Sequence, residues 1–285
     1  MAAPRGPVRG ARTLTRTARD DASPTGLLHL GFEAGADGTR LAHQVGRAPL
    51  RCVRAFGLPS GERVAQLLHV GPGVMAGDRL DLRVDVASGA RALLVAQSAA
   101  KLHAMRGDAE AHQRVTLHVG PGASLEYHPG LTIPFAGTAY RQRIEVDLAE
   151  GARFVMVERW SAGRVARGER HAYRRVESHV RVRRGGQLVY ADALVLDPAD
   201  ADGPAVFDAR AYLACAVRVG GSAETVGRVT AEPHVDTAHY GSDAVDVVRA
   251  SADDGVALQR ALTRAWCAWR AADALPSIAL ERYGS

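Results

Sequence analysis

The residues in this sequence that could do chemistry are scattered, and the informative ones are acids set in apolar runs. Glu158 follows Val155-Met156-Val157 and precedes Arg159-Trp160, so strand alternation puts it on one face with Phe154 and Met156. A carboxylate on a buried face needs a partner or an ion. Arg164 or Arg167 would supply that partner as a structural pair. Glu232, His234 and Asp236 alternate and in a strand would project together, a donor set suited to zinc or nickel. Pro233 favours the plainer reading, an exposed edge strand with ordinary polar residues. Glu126 with His128 and Glu169 with His171 form similar pairs.

Motifs of common catalysts are missing. There is no GxSxG elbow, no HExxH and no GxGxxG between strand and helix. The glycine-rich loop Gly71-Pro-Gly-Val-Met-Ala-Gly-Asp78 lacks the Lys-Ser/Thr of a nucleotide P-loop and reads as a tight connection between strands. Cys52, Cys215 and Cys267 lie far apart and outside any CxxC, which argues against a disulfide framework or a cysteine zinc site and fits a reducing compartment.

The elements that must position these side chains are mostly strands. Leu117-His-Val-Gly-Pro-Gly-Ala-Ser-Leu-Glu-Tyr127 and Val146-Asp-Leu-Ala-Glu-Gly-Ala-Arg-Phe-Val-Met156 each join two alternating strands through a Gly-Ala corner. The same form recurs from Leu82 to Val95 with its turn at Gly89, and from Val180 to Tyr190 with its turn at Gly185 and Gly186. A repeat of about thirty residues suggests stacked β-units that bury a shared core. The fold class expected is mainly β, with stacked, repeat-like antiparallel or mixed sheets (solenoid or sandwich-like) and a C-terminal α-helix. Residues 251–275 give the helix: Ser251-Ala-Asp-Asp254 has capping-box form, and Leu258, Leu262, Ala265, Trp266 and Trp269 recur at helical spacing up to Pro276. Trp266 and Trp269 are expected to pack it on the β body, with partner docking as the second reading. The organisation expected is a disordered Arg-rich tail (1–25), a β domain (26–250), the helix (251–275) and a tail (276–285).

The 285 residues carry a net charge of +5, nearly all positive residues are arginine, and Lys101 is the only lysine. Arginine-rich chains can bind nucleic acid. Here Arg181, Arg183 and Arg218 alternate with apolar residues, as on a solvated strand face, so no nucleic-acid partner is expected. No apolar run approaches the length of a membrane span, and the N-terminus lacks the apolar core of a secretory signal.

Several phrases occur in a fixed order: His69-Val-Gly-Pro-Gly-Val-Met-Ala-Gly-Asp78, Gln97-Ser-Ala-Ala-Lys101, Leu125-Glu-Tyr-His-Pro129, Ile133-Pro-Phe-Ala-Gly137 and Gly163-Arg-Val-Ala-Arg-Gly-Glu169. Val247 to Arg249 and Trp266 to Arg270 complete the set. Together they resemble the UreD (UreH) family of urease accessory proteins. The resemblance implies a cytoplasmic, non-enzymatic, mostly β scaffold that binds UreF and, through it, the GTPase UreG. It also implies docking on apo-urease and transient passage of nickel(II), with no tightly bound cofactor and no membrane partner. A conduit for an ion must release what it admits, which scattered carboxylates do better than a closed His/Cys cage. Asp78 and Glu158 are therefore expected on the nickel path, with Glu126 and Glu169 as further candidates. Arg164 and Arg167 are assigned to ion pairing or to the partner surface, and Lys101 to a similar role or to anchoring its loop. Rival readings are a scaffold for iron–sulfur assembly, which would want a reactive cysteine beside a metal-binding strand, and a carbohydrate-active β-solenoid enzyme, which would want aromatic platforms.

Overall fold

Alternation of apolar and polar residues produces strands throughout the chain, and apolar residues on both faces of several of them require two covering layers. The computed structural model describes residues 23–203, 206–221, 232–242 and 245–283. The expected Arg-rich tail falls almost wholly on residues 1–22, outside the described residues. The first eight strands are β1 (Gly26–Gly35), β2 (Gly38–Arg47), β3 (Leu50–Gly57), β4 (Arg63–His69), β5 (Arg79–Val86), β6 (Arg91–Ala96), β7 (Ala100–Leu102) and β8 (Ala111–Val119). They are followed by β9 (Ser124–Pro134), β10 (Ala139–Leu148), β11 (Arg153–Ser161), β12 (Arg175–Arg184), β13 (Gln187–Leu196), β14 (Tyr212–Val219), β15 (Val235–Ser242), β16 (Val245–Ala252) and the helix α1 (Gly255–Ala272).

Two sheets result. One has seven strands in the order β13-β12-β10-β8-β5-β1-β2; the other has nine, in the order β15-β16-β14-β11-β9-β6-β4-β3, with β7 beside β9. Through the middle of each sheet the neighbours are parallel: β1, β5, β8, β10 and β12 in one, β4, β6, β9 and β11 in the other. The chain reaches this arrangement by crossing from sheet to sheet at the glycine corners and returning in the same direction. The protein is thus mainly β, with stacked solenoid-like sheets and a single C-terminal helix.

The repeated phrases divide into two kinds. Gly89, Gly122 and Gly151 join β5 to β6, β8 to β9 and β10 to β11, so each is a corner between sheets. Gly185 and Gly186 instead close an antiparallel hairpin, β12 to β13, inside one sheet. All of these glycines have positive φ, which avoids a Cβ clash in either setting.

Register stacks like on like. Val115, Leu117 and Val119 of β8 lie opposite Leu82, Val84 and Val86 of β5 and opposite Ile144, Val146 and Leu148 of β10, and all are buried between the sheets. The outer face of the seven-stranded sheet is polar: Asp85, His118, Asp147 and Arg183 form one row across β5, β8, β10 and β12.

The outer face of the nine-stranded sheet is covered by α1. Asp254 caps the helix, its side chain accepting from the Val256 N–H at 2.8 Å. Ser251 still belongs to β16, so the expected capping box is replaced by a single aspartate cap. Leu258, Leu262, Ala265, Trp266 and Trp269 pack against Val155, Val157, Ala214, Ala216 and Val248. Each buried tryptophan contributes roughly 150–250 Å² of contact. Both tryptophans are therefore consumed by intrachain packing, and a partner surface through Trp266 and Trp269 is not available. Residues 276–283 also lie on the body, with Leu280 buried and the Tyr283 carbonyl accepting from Gln66 Nε2 at 2.8 Å. Among the described residues, no helix is long and apolar enough to cross a membrane.

Candidate functional site

The loop from Gly71 to Asp78 is held rigidly. The Val74 N–H donates to the Lys101 carbonyl at 2.8 Å, and the His103 N–H donates back to the Val74 carbonyl at 2.9 Å. Gly73 is at φ +139°, and a Cβ there would sit 2.3 Å from the Lys101 carbonyl oxygen, so this close approach demands glycine. Asp78 closes the loop by accepting the Met75 N–H on Oδ2 at 2.7 Å. The loop is a tight connection between strands, as its sequence suggests, fastened to β7 by these backbone hydrogen bonds.

Behind it, between the sheets, lies a cavity of about 130 Å³. His69, Gly73 and Lys101 line its loop end, while Tyr127, Tyr140 and Gln142 line it further in. At the loop end, both ring nitrogens of His69 are buried without a hydrogen-bond partner. Leaving a buried polar group unsatisfied costs about 1–3 kcal/mol.

At the inner end a polar chain begins. Tyr140 Oη donates to Gln113 Oε1 at 2.7 Å and lies 3.2 Å from Gln142 Oε1. Gln142 Nε2 donates to Glu158 Oε1 at 2.6 Å, and Ser178 Oγ donates to the same oxygen at 3.1 Å. Glu158 shares the inter-sheet face with Phe154 and Met156, as alternation predicts. Among the described residues no cation forms an ion pair with it. Burial pushes its pKa up to about 7, against the resistance of its neutral hydrogen-bond donors.

Glu126 has a different setting. It is buried on the opposite face of the same sheet, beneath α1, where Arg270 Nη1 donates to its Oε1 at 2.5 Å and Trp266 Nε1 donates to its Oε2 at 2.6 Å. Arg270 also clamps Glu62, at 3.0 and 2.8 Å. Burial raises the pKa of Glu126, and the guanidinium pulls it back. His128 stands edge-on to Trp266 in the same layer, where burial lowers its pKa to about 3.

The other expected residues lie apart from both clusters. Glu169 is ion-paired with Arg164 and accepts the Ala136 N–H at 2.9 Å. The Arg164 hydrogen bonds hold the Glu169 carboxyl below its usual range. Arg164 also stacks over Phe135 at 4.6 Å, and Arg167 is exposed on the short turn Val165–Arg167. Neither arginine pairs with Glu158, because the Gly163–Glu169 segment folds back on itself. Glu232, His234 and Asp236 do not share a strand face: β15 starts only at Val235, and His234 sits in a turn at φ +65°. Glu232 pairs with Arg264 and Asp236 with Arg210. Among the described residues, no group of three or more His, Cys, Asp or Glu side chains is placed to hold a metal ion.

A family model described as UreD urease accessory protein matches residues 24–282. The chain belongs to the UreD family. The urease accessory protein UreD of Deinococcus radiodurans is 37% identical over 209 residues, spanning 73% of this chain and 75% of that protein. The urease accessory protein UreD 1 of Synechococcus sp. (strain JA-3-3Ab) is 40% identical over 192 residues, covering 66% and 71%. The UreD of Chelativorans sp. (strain BNC1) is 28% identical across 93% of this chain and 99% of its own length. Membership makes this a urease accessory protein; its relatives are named as accessory proteins and not as catalysts.

Within this UreD chain the structure brings Glu158 together with Gln142, Ser178 and Tyr140, which sequence reading missed. A Gln or Ser in an alternating strand gives no signal of its own until the facing sheet is known. Arg270, a charged residue on the same helix, gives no sign of an inward position in the sequence, yet it is among the most deeply buried side chains.

Proposed function

We propose that this chain is a non-catalytic scaffold in urease maturation, joining a UreF-like protein and a UreG-like GTPase to apo-urease and passing nickel(II) as cargo between its sheets. The observation that carries this reading is the cavity running inward from the loop closed by Asp78 to Gln142, whose amide holds the uncompensated carboxyl of Glu158. A passage must offer donors that are few and exchangeable. One buried carboxylate with two neutral hydrogen-bond donors meets that requirement, whereas the Arg270-neutralised Glu126 does not.

The chemistry of the step follows from the state of Glu158. Burial raises the pKa of Glu158 to about 7, so the carboxyl holds its proton more readily than an exposed one, and an arriving divalent ion displaces that proton to gain an anionic oxygen. Gln142 and Ser178 keep the carboxyl oriented before and after. Asp78 supplies negative charge beside the loop. The three free cysteines fit work in a reducing, cytoplasmic compartment.

Two measurements test this. Asp78→Ala with Glu158→Ala should lower the nickel content of urease while the complex with the UreF-like and UreG-like proteins still co-purifies. Full nickel loading by the double variant refutes the passage. Failure of the unaltered chain to co-purify with either protein refutes the scaffold.

A further inference from the structure

Arg159 follows Glu158 on β11 and so lies on the opposite face of the sheet, the one covered by α1. Its Nη1 donates to Gln259 Oε1 of the helix at 2.8 Å, and among the described residues no carboxylate pairs with it. Other arginines around the helix are matched by acids: Arg270 by Glu62 and Glu126, Arg218 by Asp246, and Arg153 by Asp273. A half-buried guanidinium answered by a neutral amide is a cost to the fold. Burial lowers its pKa, and no acid among the described residues opposes that shift.

The guanidinium is not sealed in. It lines a groove of about 380 Å³ between the first turn of α1 and the connection from β6 to β7. Leu131, Tyr212 and Val256 give the groove apolar walls, and Val256 is 59% exposed. Asp254 is the other charged residue of the lining; its carboxylate accepts the Val256 N–H at 2.8 Å and forms no ion pair with Arg159.

From this geometry we infer that the groove seats a short segment of a partner protein, with one acidic side chain of that segment on Arg159 and an apolar neighbour against Val256. The inference rests on the scaffold reading above and names a surface through which the scaffold holds a partner. The planar fork of arginine matches a carboxylate with two parallel hydrogen bonds. A free carboxylate as small as acetate would fill little of the groove and leave its apolar walls wet, whereas a peptide segment covers both. A phosphate dianion would bring two negative charges to a lining that holds one arginine and already holds Asp254. Once covered, the pair is shielded from water and the Arg159 charge is matched. Because Arg159 and Glu158 face opposite ways, a partner seated here leaves the space between the sheets clear.

The test uses the full chain, with the UreF-like protein, the UreG-like protein and apo-urease added in turn as probes. Arg159→Gln should weaken the binding of one of them at least about thirtyfold, the lower end of what truncating one side of a buried interfacial charge pair costs. Arg159→Lys, which keeps the charge and loses the fork, should fall between. The isolated Arg159→Gln chain should resist urea as well as the unaltered one, since it loses no ion pair. A lower midpoint with an equal loss of all three partners would make Arg159 an internal brace and overturn the inference. Labelling the unaltered chain with phenylglyoxal, followed by peptide mapping, gives a second measurement. Arg159 should react in the free chain and be protected in the complex. Protection by none of the three proteins, or equal protection by acetate alone, overturns the inference. If the unaltered chain binds none of the three, the scaffold reading falls and this inference with it. If it binds them and Arg159→Gln binds them equally well, the inference alone falls. Should Arg159→Gln fail to fold, the labelling of the unaltered chain still decides.

Discussion

Two buried glutamates on the same nine-stranded sheet have opposite fates. Glu126 points to the helix side and is met by Arg270 and Trp266; Glu158 points to the inter-sheet side, where an amide and a hydroxyl donate to it and no cation among the described residues pairs with it. The first is a fastener: two carboxylates grip one guanidinium and tie α1 to β9 and to the segment before β4. The second contributes no such grip, and its ionised form is a liability to the fold. A costly group that the surrounding structure could have replaced with an apolar one is a sign of function, whereas a fully paired one is a sign of architecture.

The comparison can be broken at its strong end first. Arg270→Met strands Glu62 and Glu126 together and should cost about 3–5 kcal/mol in urea denaturation, the usual penalty for breaking a buried pair from one side. A loss below about 1 kcal/mol, the ceiling for an exposed pair, would show that water reaches the cluster.

Next comes the pH dependence of Glu158. Its folded pKa of about 7 exceeds the ordinary 4.5, so between those values the folded chain holds a proton that the unfolded chain has released. This group therefore leaves stability intact below pH 4.5 and erodes it as pH rises through 7, by at most about 1.4 kcal/mol for each pH step of one between the two values. Glu158→Gln should remove that slope and stabilise the protein at pH 8 by about 2–3 kcal/mol, while lowering nickel transfer. A variant that is less stable at pH 8 would move Glu158 into the same category as Glu126.

Trp266→Phe keeps most of the packing but deletes the hydrogen bond to Glu126, for an expected loss of about 1–3 kcal/mol in the same assay. Smallest of all, Arg164→Ala should leave the denaturation midpoint unchanged, since the Arg164–Glu169 pair is partly exposed and water replaces it. A large shift there would mean that the pair braces the Gly163–Glu169 segment.

Much of this was legible in the sequence, and the failures have physical causes. Period-two alternation correctly put Glu158 with Phe154 and Met156, because that pattern is local. The glycine phrases revealed the stack, yet a corner between sheets and a hairpin within one look alike over ten residues, so the Gly185–Gly186 turn could not be told from the others. Helical spacing showed that Trp266 and Trp269 face the body. It did not show that Arg270 also faces inward, because its partners Glu62 and Glu126 lie 208 and 144 residues away. The Glu232–His234–Asp236 pattern failed because a turn at His234 interrupts the assumed strand. His69 was visible as a motif residue, but an unpartnered ring nitrogen is a property of the folded interior and leaves no trace in residue order.

The glycine corners that send the chain from one sheet to the other have a consequence for how such a molecule changes size. Each excursion lays one parallel strand in each layer, while the chain's antiparallel hairpins finish the flanks. Duplicating one excursion in the middle would widen both layers by one rung, leaving the finished flanks as they are. Growth or shrinkage of this architecture therefore comes in whole rungs, and any passage between the layers widens or narrows by the same step.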